Sequence, residues 1–327
     1  MKLASLKTKN SKDGELVLVS RDNKNFVTAK DIAPNLLQAV ENWSVVEPQL
    51  KQRYDQLNSG SVAGSQPVSN PGVFASALPR TWLFADGSAF IHHIKLVRKA
   101  RNAALPETLL TVPLMYQGEC GRFLDPIEDI PQRDFAHGTD FEAEVGVIVD
   151  HVPMGVTPEQ ALNHIKLHVL INDVSLRGLI PEELAQGFGF FQSKPNSALS
   201  PLALTTDELG TNWKDGRVQL PLNVTYNGKF FGKANAKEMH FHFGQLIAHA
   251  AKTRDLAAGT LIGSGTVASE DSTVGSSCLA EKRTLETINN GKPETPFMKV
   301  GDTIEIEMFN DKGESLFGRI SQKVAQA

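Results

Sequence analysis

The sequence predicts a mainly β protein with helices, of the α+β class. Short apolar or alternating runs recur along the chain, Gly, Asn, Pro and Asp separate them, and few stretches carry apolar residues at helical spacing. With 327 residues, the chain can bury a substantial core in one large domain beside a smaller companion.

Residues 1–72 are expected to form a small N-terminal α/β domain and its linker. Apolar residues at helical spacing between residues 31 and 57 predict one or two helices. Ser, Gly, Asn and Pro dominate residues 59–72, which is typical of a linker and sets the boundary there. Three segments predict short strands in this part: 2–6, 15–20 and 25–29.

Residues 73–327 are expected to form the larger, mainly β domain. Asn227-Gly228 predicts a tight hairpin, and Thr157 followed by Pro158 predicts a helix start. Charged residues and Asn289-Asn290-Gly291 favour a mobile loop over 282–291. Six runs predict strands: 141–149, 167–171, 219–226, 259–267, 303–308 and 317–324. Two runs predict amphipathic helices: 157–166 and 237–252.

Composition argues against several classes of function. A net charge of -4 and a pI near 6.2, without a dense basic cluster, predict no nucleic-acid or membrane partner. No signal-peptide pattern, membrane-spanning run, dinucleotide fingerprint or P-loop is present, so a cytoplasmic location is expected. Two cysteines predict free thiols; Cys278 could be a nucleophile, but a buried packing residue is the favoured interpretation.

Two glutamates interrupt an apolar run at residues 140–149. Because strand side chains alternate, Glu142 and Glu144 should point the same way, opposite to Ala143 and Val145. Two neighbouring carboxylates resist ionisation, and a divalent metal is the simplest compensation; a solvated strand face is the alternative. Oxygen ligands favour Mg²⁺, Mn²⁺ or Ca²⁺ over zinc.

Two aspartates can complete such a site. Asp86 lies in Phe84-Ala85-Asp86-Gly87-Ser88, and Asp173 lies in Asn172-Asp173-Val174-Ser175-Leu176-Arg177. With these motifs and the E-x-E run, the chain from about Asp86 onward resembles the fumarylacetoacetate hydrolase family. The resemblance implies a mixed β roll of the fumarylacetoacetase C-terminal type, a homodimer, and Mg²⁺, Ca²⁺ or Mn²⁺ held by four residues: Asp86, Glu142, Glu144 and Asp173.

The same resemblance implies the catalytic groups. His93, seven positions beyond Asp86, corresponds to the family's general base and Glu281 to its carboxylate partner; a histidine pKa near neutral suits this role. His92 is the nearest rival to His93, and His240 and His242 are weaker ones.

Two basic residues match the family's oxyanion donors, Arg177 and Lys194, while Tyr116 and Thr266 match its substrate-binding positions. A packed tyrosine is an alternative for Tyr116. The family's glutamine three residues after the arginine is replaced by Ile180, for which Gln186 or Gln192 could substitute. A tyrosine two residues after the metal aspartate is replaced by Ser88.

The resemblance implies hydrolysis of a carbon-carbon bond in a β-diketo acid. Fumarylacetoacetate, cleaved to fumarate and acetoacetate in tyrosine and phenylalanine catabolism, is the leading substrate. The alternatives are acylpyruvate hydrolysis, oxaloacetate decarboxylation, and isomerisation or decarboxylation of a 2-oxo-heptenedioate. The replacement of the family's glutamine slightly favours these alternatives as a group. A non-enzymatic Ca²⁺-binding protein is disfavoured, because a structural ion does not need His93, Arg177 and Lys194.

Overall fold

A computed structural model describes residues 1–100, 104–105 and 107–327, without the side chains of residues 93 and 97–100. The first 67 residues form four strands and two helices. They are β1 Lys2–Leu6, β2 Glu15–Val19, β3 Asn25–Thr28, α1 Leu36–Glu41, α2 Trp43–Ser59 and β4 Gln66–Pro67.

The remaining chain is rich in short strands. Its first half contains β5 Phe84–Gly87, α3 Ile91–Ala100, β6 Met115–Gly118, β7 Ile130–Gln132, β8 Thr139–Asp140, β9 Ala143–Val149, α4 Pro158–Ala161, β10 Ile165–Asn172, β11 Ser175–Leu176, α5 Ile180–Ala185, β12 Ala198–Leu199 and β13 Ala203–Leu204. Its second half contains β14 Trp213–Lys214, β15 Arg217–Val218, β16 Leu222–Tyr226, β17 Lys229–Gly232, α6 Phe243–Ala250, β18 Leu261–Gly263, α7 Leu279–Asn290, β19 Thr303–Met308 and β20 Ile320–Gln326.

One large mixed sheet carries the strands on which the site is built. Its order is β4-β3-β2-β1-β13-β10-β9-β18-β5-β6, with β12 pairing with β10. A second sheet has the order β17-β16-β19-β20-β7. Parallel pairs, β18 with β5 and β20 with β7, occur among antiparallel ones. The predicted fold class, mainly β with helices, is therefore confirmed.

Strand β9 alternates between two hydrophobic cores. Ala143, Val145 and Val147 belong to one core, whereas Ile148 belongs to the other. Since side chains alternate along a strand, Glu144 projects away from the first core. Glu142 lies just before β9 and forms an isolated β-bridge with Cys278, whereas Glu144 lies within β9. The two glutamates therefore differ in backbone pairing.

Several local predictions are confirmed. Asn227 and Gly228 both have left-handed backbone angles, φ 51° and 70°, as a tight turn between β16 and β17 requires. Thr157 caps α4 in a capping box with Gln160, and Pro158 is its first residue.

Other local predictions need correction. The sequence pattern favours a mobile loop over 282–291, but residues 282–290 lie in α7, and Gly291 ends that helix with φ 80°. The two predicted helices over 157–166 and 237–252 are shorter, because α4 gives way to a 3₁₀ turn and α6 begins only at Phe243.

A division of the chain near residue 72 stays a prediction. Among the described residues, no helix is long and apolar enough to cross a bilayer.

Candidate functional site

Three buried carboxyl groups converge beside the large sheet. Asp86 lies on β5, Glu144 on β9, and Asp173 directly after β10. One carboxylate oxygen from each lies within 4.8 Å of the others. The side chains are 3%, 0% and 1% exposed, respectively, so the group is shielded from solvent.

A glycine on the intervening strand makes room for this group. Gly263 of β18 pairs with Asp86 on one side and with Gly146 of β9 on the other. A Cβ atom at position 263 would collide with the Asp86 carboxylate and lie 3.1 Å from Glu144 Oε2. The backbone therefore approaches the two carboxylates as closely as only glycine permits.

The three carboxyl groups fit a divalent cation. Neither Glu144 oxygen accepts a hydrogen bond from the described residues, although both are buried. Burial, followed by the charges of neighbouring carboxylates, raises the pKa of Asp86 and of Glu144 well above the usual values. A bound dication would supply the missing positive charge, and the oxygen-only donor set favours Mg²⁺, Mn²⁺ or Ca²⁺.

Glu142 lies next to this group and pairs with two basic side chains. Its Oε1 accepts from Arg177 Nη2 at 2.6 Å, and its Oε2 accepts from Lys194 Nζ at 2.7 Å. Lys194 Nζ also donates to Asp173 Oδ2 at 2.5 Å and to Ser175 Oγ at 2.7 Å. Glu142 is thus joined to the carboxylate group through Lys194, and its predicted role as a fourth ligand stays a prediction.

Asp140 is a component of the site that the sequence reasoning missed. Its Oδ2 accepts from Arg177 Nε at 2.9 Å, while Leu279 and Ala280 at the start of α7 donate their N–H groups at 2.7 and 2.9 Å. Asp140 is fully buried. It therefore links Arg177 to the N-terminus of α7, where a carboxylate interacts favourably with the helix dipole. The sequence signal that could have identified Asp140 is its position two residues before Glu142.

Asp173 has several donors besides Lys194. Tyr116 donates its hydroxyl to Oδ2 at 2.5 Å, and Ser197 donates to Oδ1 at 2.8 Å. The Tyr116 ring also meets Phe190 edge-on, with centroids 5.1 Å apart. Tyr116 therefore lies at the predicted site, with its hydroxyl proton engaged by Asp173.

The predicted base and its partner lie on two helices that pack together, α3 and α7. His93 belongs to α3, but its side chain is outside the described residues. Glu281 is buried in the first turn of α7. Thr266 is buried shortly after β18, where the neighbouring Gly265 donates its N–H to Asp86 Oδ1 at 3.2 Å.

Cys278 caps the same helix. Its Sγ accepts the Glu281 N–H at 3.3 Å, and burial raises the pKa of its thiol. Both observations favour the packing interpretation over a nucleophile, since a reactive cysteine needs a lowered pKa.

Comparisons with known proteins identify relatives of this chain. A 2,4-didehydro-3-deoxy-L-rhamnonate hydrolase from Sphingomonas sp. (strain SKA58) is 26% identical over 201 residues, which cover 60% of this chain and 61% of that protein. Matches to the first relatives span between 46% and 61% of those proteins' length.

Solved structures share the fold over whole chains. The maleylpyruvate hydrolase from Sphingobium sp. SYK-6, in complex with manganese(II) ion and pyruvate, gives a TM-score of 0.67 at 15% identity and covers 100% of both chains. Fumarylacetoacetate hydrolase from Exiguobacterium antarcticum gives the same TM-score, identity and coverage.

Family models match almost the entire chain. The model described as fumarylacetoacetate (FAA) hydrolase C-terminal matches residues 83–325, and the model described as fumarylacetoacetase N-terminal domain 2 matches residues 1–80. The chain therefore belongs to the fumarylacetoacetate hydrolase family.

Proposed function

We propose that the protein is a divalent-metal-dependent hydrolase that cleaves a carbon-carbon bond in a β-diketo acid. The observation that carries this proposal is the buried group of Asp86, Glu144 and Asp173, adjacent to Arg177 and Lys194. A bound cation would act as a Lewis acid on the two oxygens of the diketone.

The hydrogen bonds suggest different roles for the two basic residues. All three Lys194 N–H groups are directed to Glu142, Asp173 and Ser175, so Lys194 primarily offsets carboxylate charge. Arg177 uses Nε and Nη2, and its Nη1 makes no hydrogen bond to the described residues. Arg177 is therefore the better candidate to donate to the oxyanion formed by attack of water.

Water activation is assigned to His93, with Glu281 as its orienting partner. The packing of α3 against α7 supports this pairing. A base of this type accelerates hydrolysis by about 10² to 10⁴-fold, so replacing His93 with Ala should lower turnover on that order. Retention of full turnover by His93→Ala, with normal metal binding, would exclude His93 as the base.

Fumarylacetoacetate, an intermediate of tyrosine and phenylalanine catabolism, is the substrate that the motifs favour. Acylpyruvates should be tested alongside fumarylacetoacetate, because the buried apolar side chain of Ile180 cannot supply the hydrogen bond that a glutamine would. The shared fold with a maleylpyruvate hydrolase solved with manganese and pyruvate is consistent with an acylpyruvate substrate.

A substrate panel tests the proposal directly. Purified protein, stripped with EDTA and reloaded with Mg²⁺ or Mn²⁺, is assayed on fumarylacetoacetate, acylpyruvates and oxaloacetate, and the products are separated by chromatography. We expect metal-dependent release of two carboxylic acids from a diketo acid, and loss of this activity in Glu144→Gln. Release of CO₂ from oxaloacetate alone, or isomerisation without cleavage, would favour the alternative reactions.

Tight Ca²⁺ binding without turnover of any substrate would instead favour a structural metal site. A homodimer is the state that the family resemblance implies for the active protein, and sedimentation velocity would test it. A cytoplasmic location is a separate part of the proposal.

A further inference from the structure

Glu183 organises the segment that leads into Lys194. Its Oε2 accepts the N–H groups of Phe191 at 3.1 Å and Ser193 at 3.2 Å, and its Oε1 accepts the N–H of Gln192 at 2.5 Å. The Ser193 hydroxyl also donates to Oε2 at 2.5 Å. One side chain on α5 thus collects four hydrogen bonds from three consecutive residues.

The other side of the same segment is also fixed. The Ser193 carbonyl accepts the N–H of Leu176, on β11, at 2.8 Å, and the Lys194 N–H donates to the Phe191 carbonyl at 3.3 Å. Leu176 directly precedes Arg177 in sequence. The backbone entering Lys194 is therefore held between α5 and β11.

Glu183 is suited to hold the segment as a carboxylate. Burial acts to raise its pKa, but the Ser193 hydroxyl and the three backbone N–H groups outweigh burial, and the pKa lies below its usual value. Hydrogen bonds to an ionised acceptor are about twice as strong as neutral ones. A neutral amide at this position offers one oxygen and cannot accept on both sides.

We propose that Glu183 is a positioning residue, which fixes residues 191–193 so that Lys194 Nζ lies between Glu142 and Asp173. Its effect on turnover rests on the proposed function. Its effect on the placement of Lys194 does not rest on the proposed function. The positioning role of Glu183 and the proposed function can therefore be tested separately.

The test compares Glu183→Gln with Glu182→Gln. Both variants remove one negative charge from the same turn of α5, but Glu182 is exposed and accepts no hydrogen bond from the 191–193 segment among the described residues. Ser193→Ala serves as a milder second variant, because it removes only one of the four hydrogen bonds to Glu183. It keeps the proposal testable if Glu183→Gln folds poorly.

Two readouts are measured on each variant. The first is the rate at which Lys194, 6% exposed in the structure, is acetylated by acetic anhydride, followed by mass spectrometry of its peptide. The second is the division of any activity change between kcat and KM. We expect Glu183→Gln to acetylate Lys194 several-fold faster and to lower kcat on the order of 10- to 100-fold with little change in KM. Ser193→Ala should move both readouts less, in the same direction.

Equal acetylation rates at Lys194 in Glu183→Gln and Glu182→Gln would overturn the proposal. In an active enzyme, faster acetylation of Lys194 without loss of kcat would overturn the effect on turnover that we propose for Glu183. If wild-type protein turns over none of the acids, the proposed function fails, and the acetylation rates alone then decide whether Glu183 positions Lys194.

Discussion

Glu144 is the residue on which cation binding should depend most. It is fully buried, and one of its oxygens lies within 4.8 Å of oxygens of Asp86 and Asp173, so a neutral replacement removes charge where a cation would bind. Loss of an outer-shell partner costs about 10- to 100-fold in metal affinity, and loss of a ligand should cost more. We therefore expect Glu144→Gln to weaken Mn²⁺ binding more than about 100-fold in isothermal titration calorimetry. Glu270→Gln, at an exposed position, is the control.

His168 should make the protein sensitive to mild acid. Burial lowers its pKa from 6.5 to about 3, and the ring is held by Thr206 and packs edge-on against Trp213. Below pH 6.5 the unfolded chain binds a proton that the folded chain does not, so stability falls with pH until the folded pKa is reached. The loss between pH 6.5 and 5 should be about 2 kcal/mol.

His168→Gln should flatten this acid-induced loss, because glutamine can still meet Thr206 but does not titrate in this range. Urea unfolding at pH 7 and pH 5 measures the effect. His151→Gln, at a position 63% exposed, is the control. An unchanged pH dependence in His168→Gln would show that other groups cause the loss.

Sequence motifs located Asp86, Glu144 and Asp173, because each carboxylate interrupts or ends an apolar strand. They could not separate Glu144 from Glu142. The pairing of Glu142 depends on Arg177 and Lys194, which only the folded chain brings to it. Alternation along a strand predicts which face a side chain occupies. It does not predict which basic side chain will pair with a glutamate, because that partner comes from a segment distant in sequence.

One buried aspartate, Asp140, stabilises the start of helix α7. Asp140 accepts the N–H groups of Leu279 and Ala280 and pairs with Arg177. Asp140→Asn leaves one acceptor oxygen and removes one of the two carboxylates that pair with Arg177, and breaking a buried pair typically costs about 3 to 5 kcal/mol. We expect a loss of unfolding free energy in this range, measured by urea denaturation.

The matched control for Asp140→Asn is Asp134→Asn, because Asp134 caps the 3₁₀ helix Phe135–His137 from an exposed position. Asparagine is about as good an N-cap as aspartate, so Asp134→Asn should cost less than about 1 kcal/mol. Similar losses for both variants would mean that Asp140 acts only as a local cap.

Charged residues followed by Asn289-Asn290-Gly291 favour a loop at the sequence level, whereas the structure places α7 there. The same tripeptide is typical of a helix end, where Gly291 adopts φ 80°. The start was harder to find, since Cys278 is an uncommon N-cap. Helix α7 therefore illustrates that a turn signal marks a boundary without saying what precedes it.

At the scale of the whole molecule, the N-terminal part shares a hydrophobic core with the rest. Strand β1 pairs with β13, and Leu3 and Leu18 lie in one buried cluster with Ile148, Ile171 and Leu199. Removal of residues 1–72 would expose this cluster and the edge of β13.

We therefore expect a chain of residues 73–327 to be insoluble or unfolded, and the full chain to unfold in one transition, as measured by calorimetry and circular dichroism. A soluble 73–327 fragment that unfolds cooperatively would contradict this expectation and support an independent domain.

The most direct measurement is anomalous diffraction from a crystal soaked in Mn²⁺, collected near the manganese absorption edge. We expect one strong peak between β5, β9 and the end of β10, with carboxylate oxygens of Asp86, Glu144 and Asp173 about 2.0 to 2.4 Å away. A peak bound by other residues, or no peak where these three carboxyl groups meet, would contradict a metal-dependent active site there.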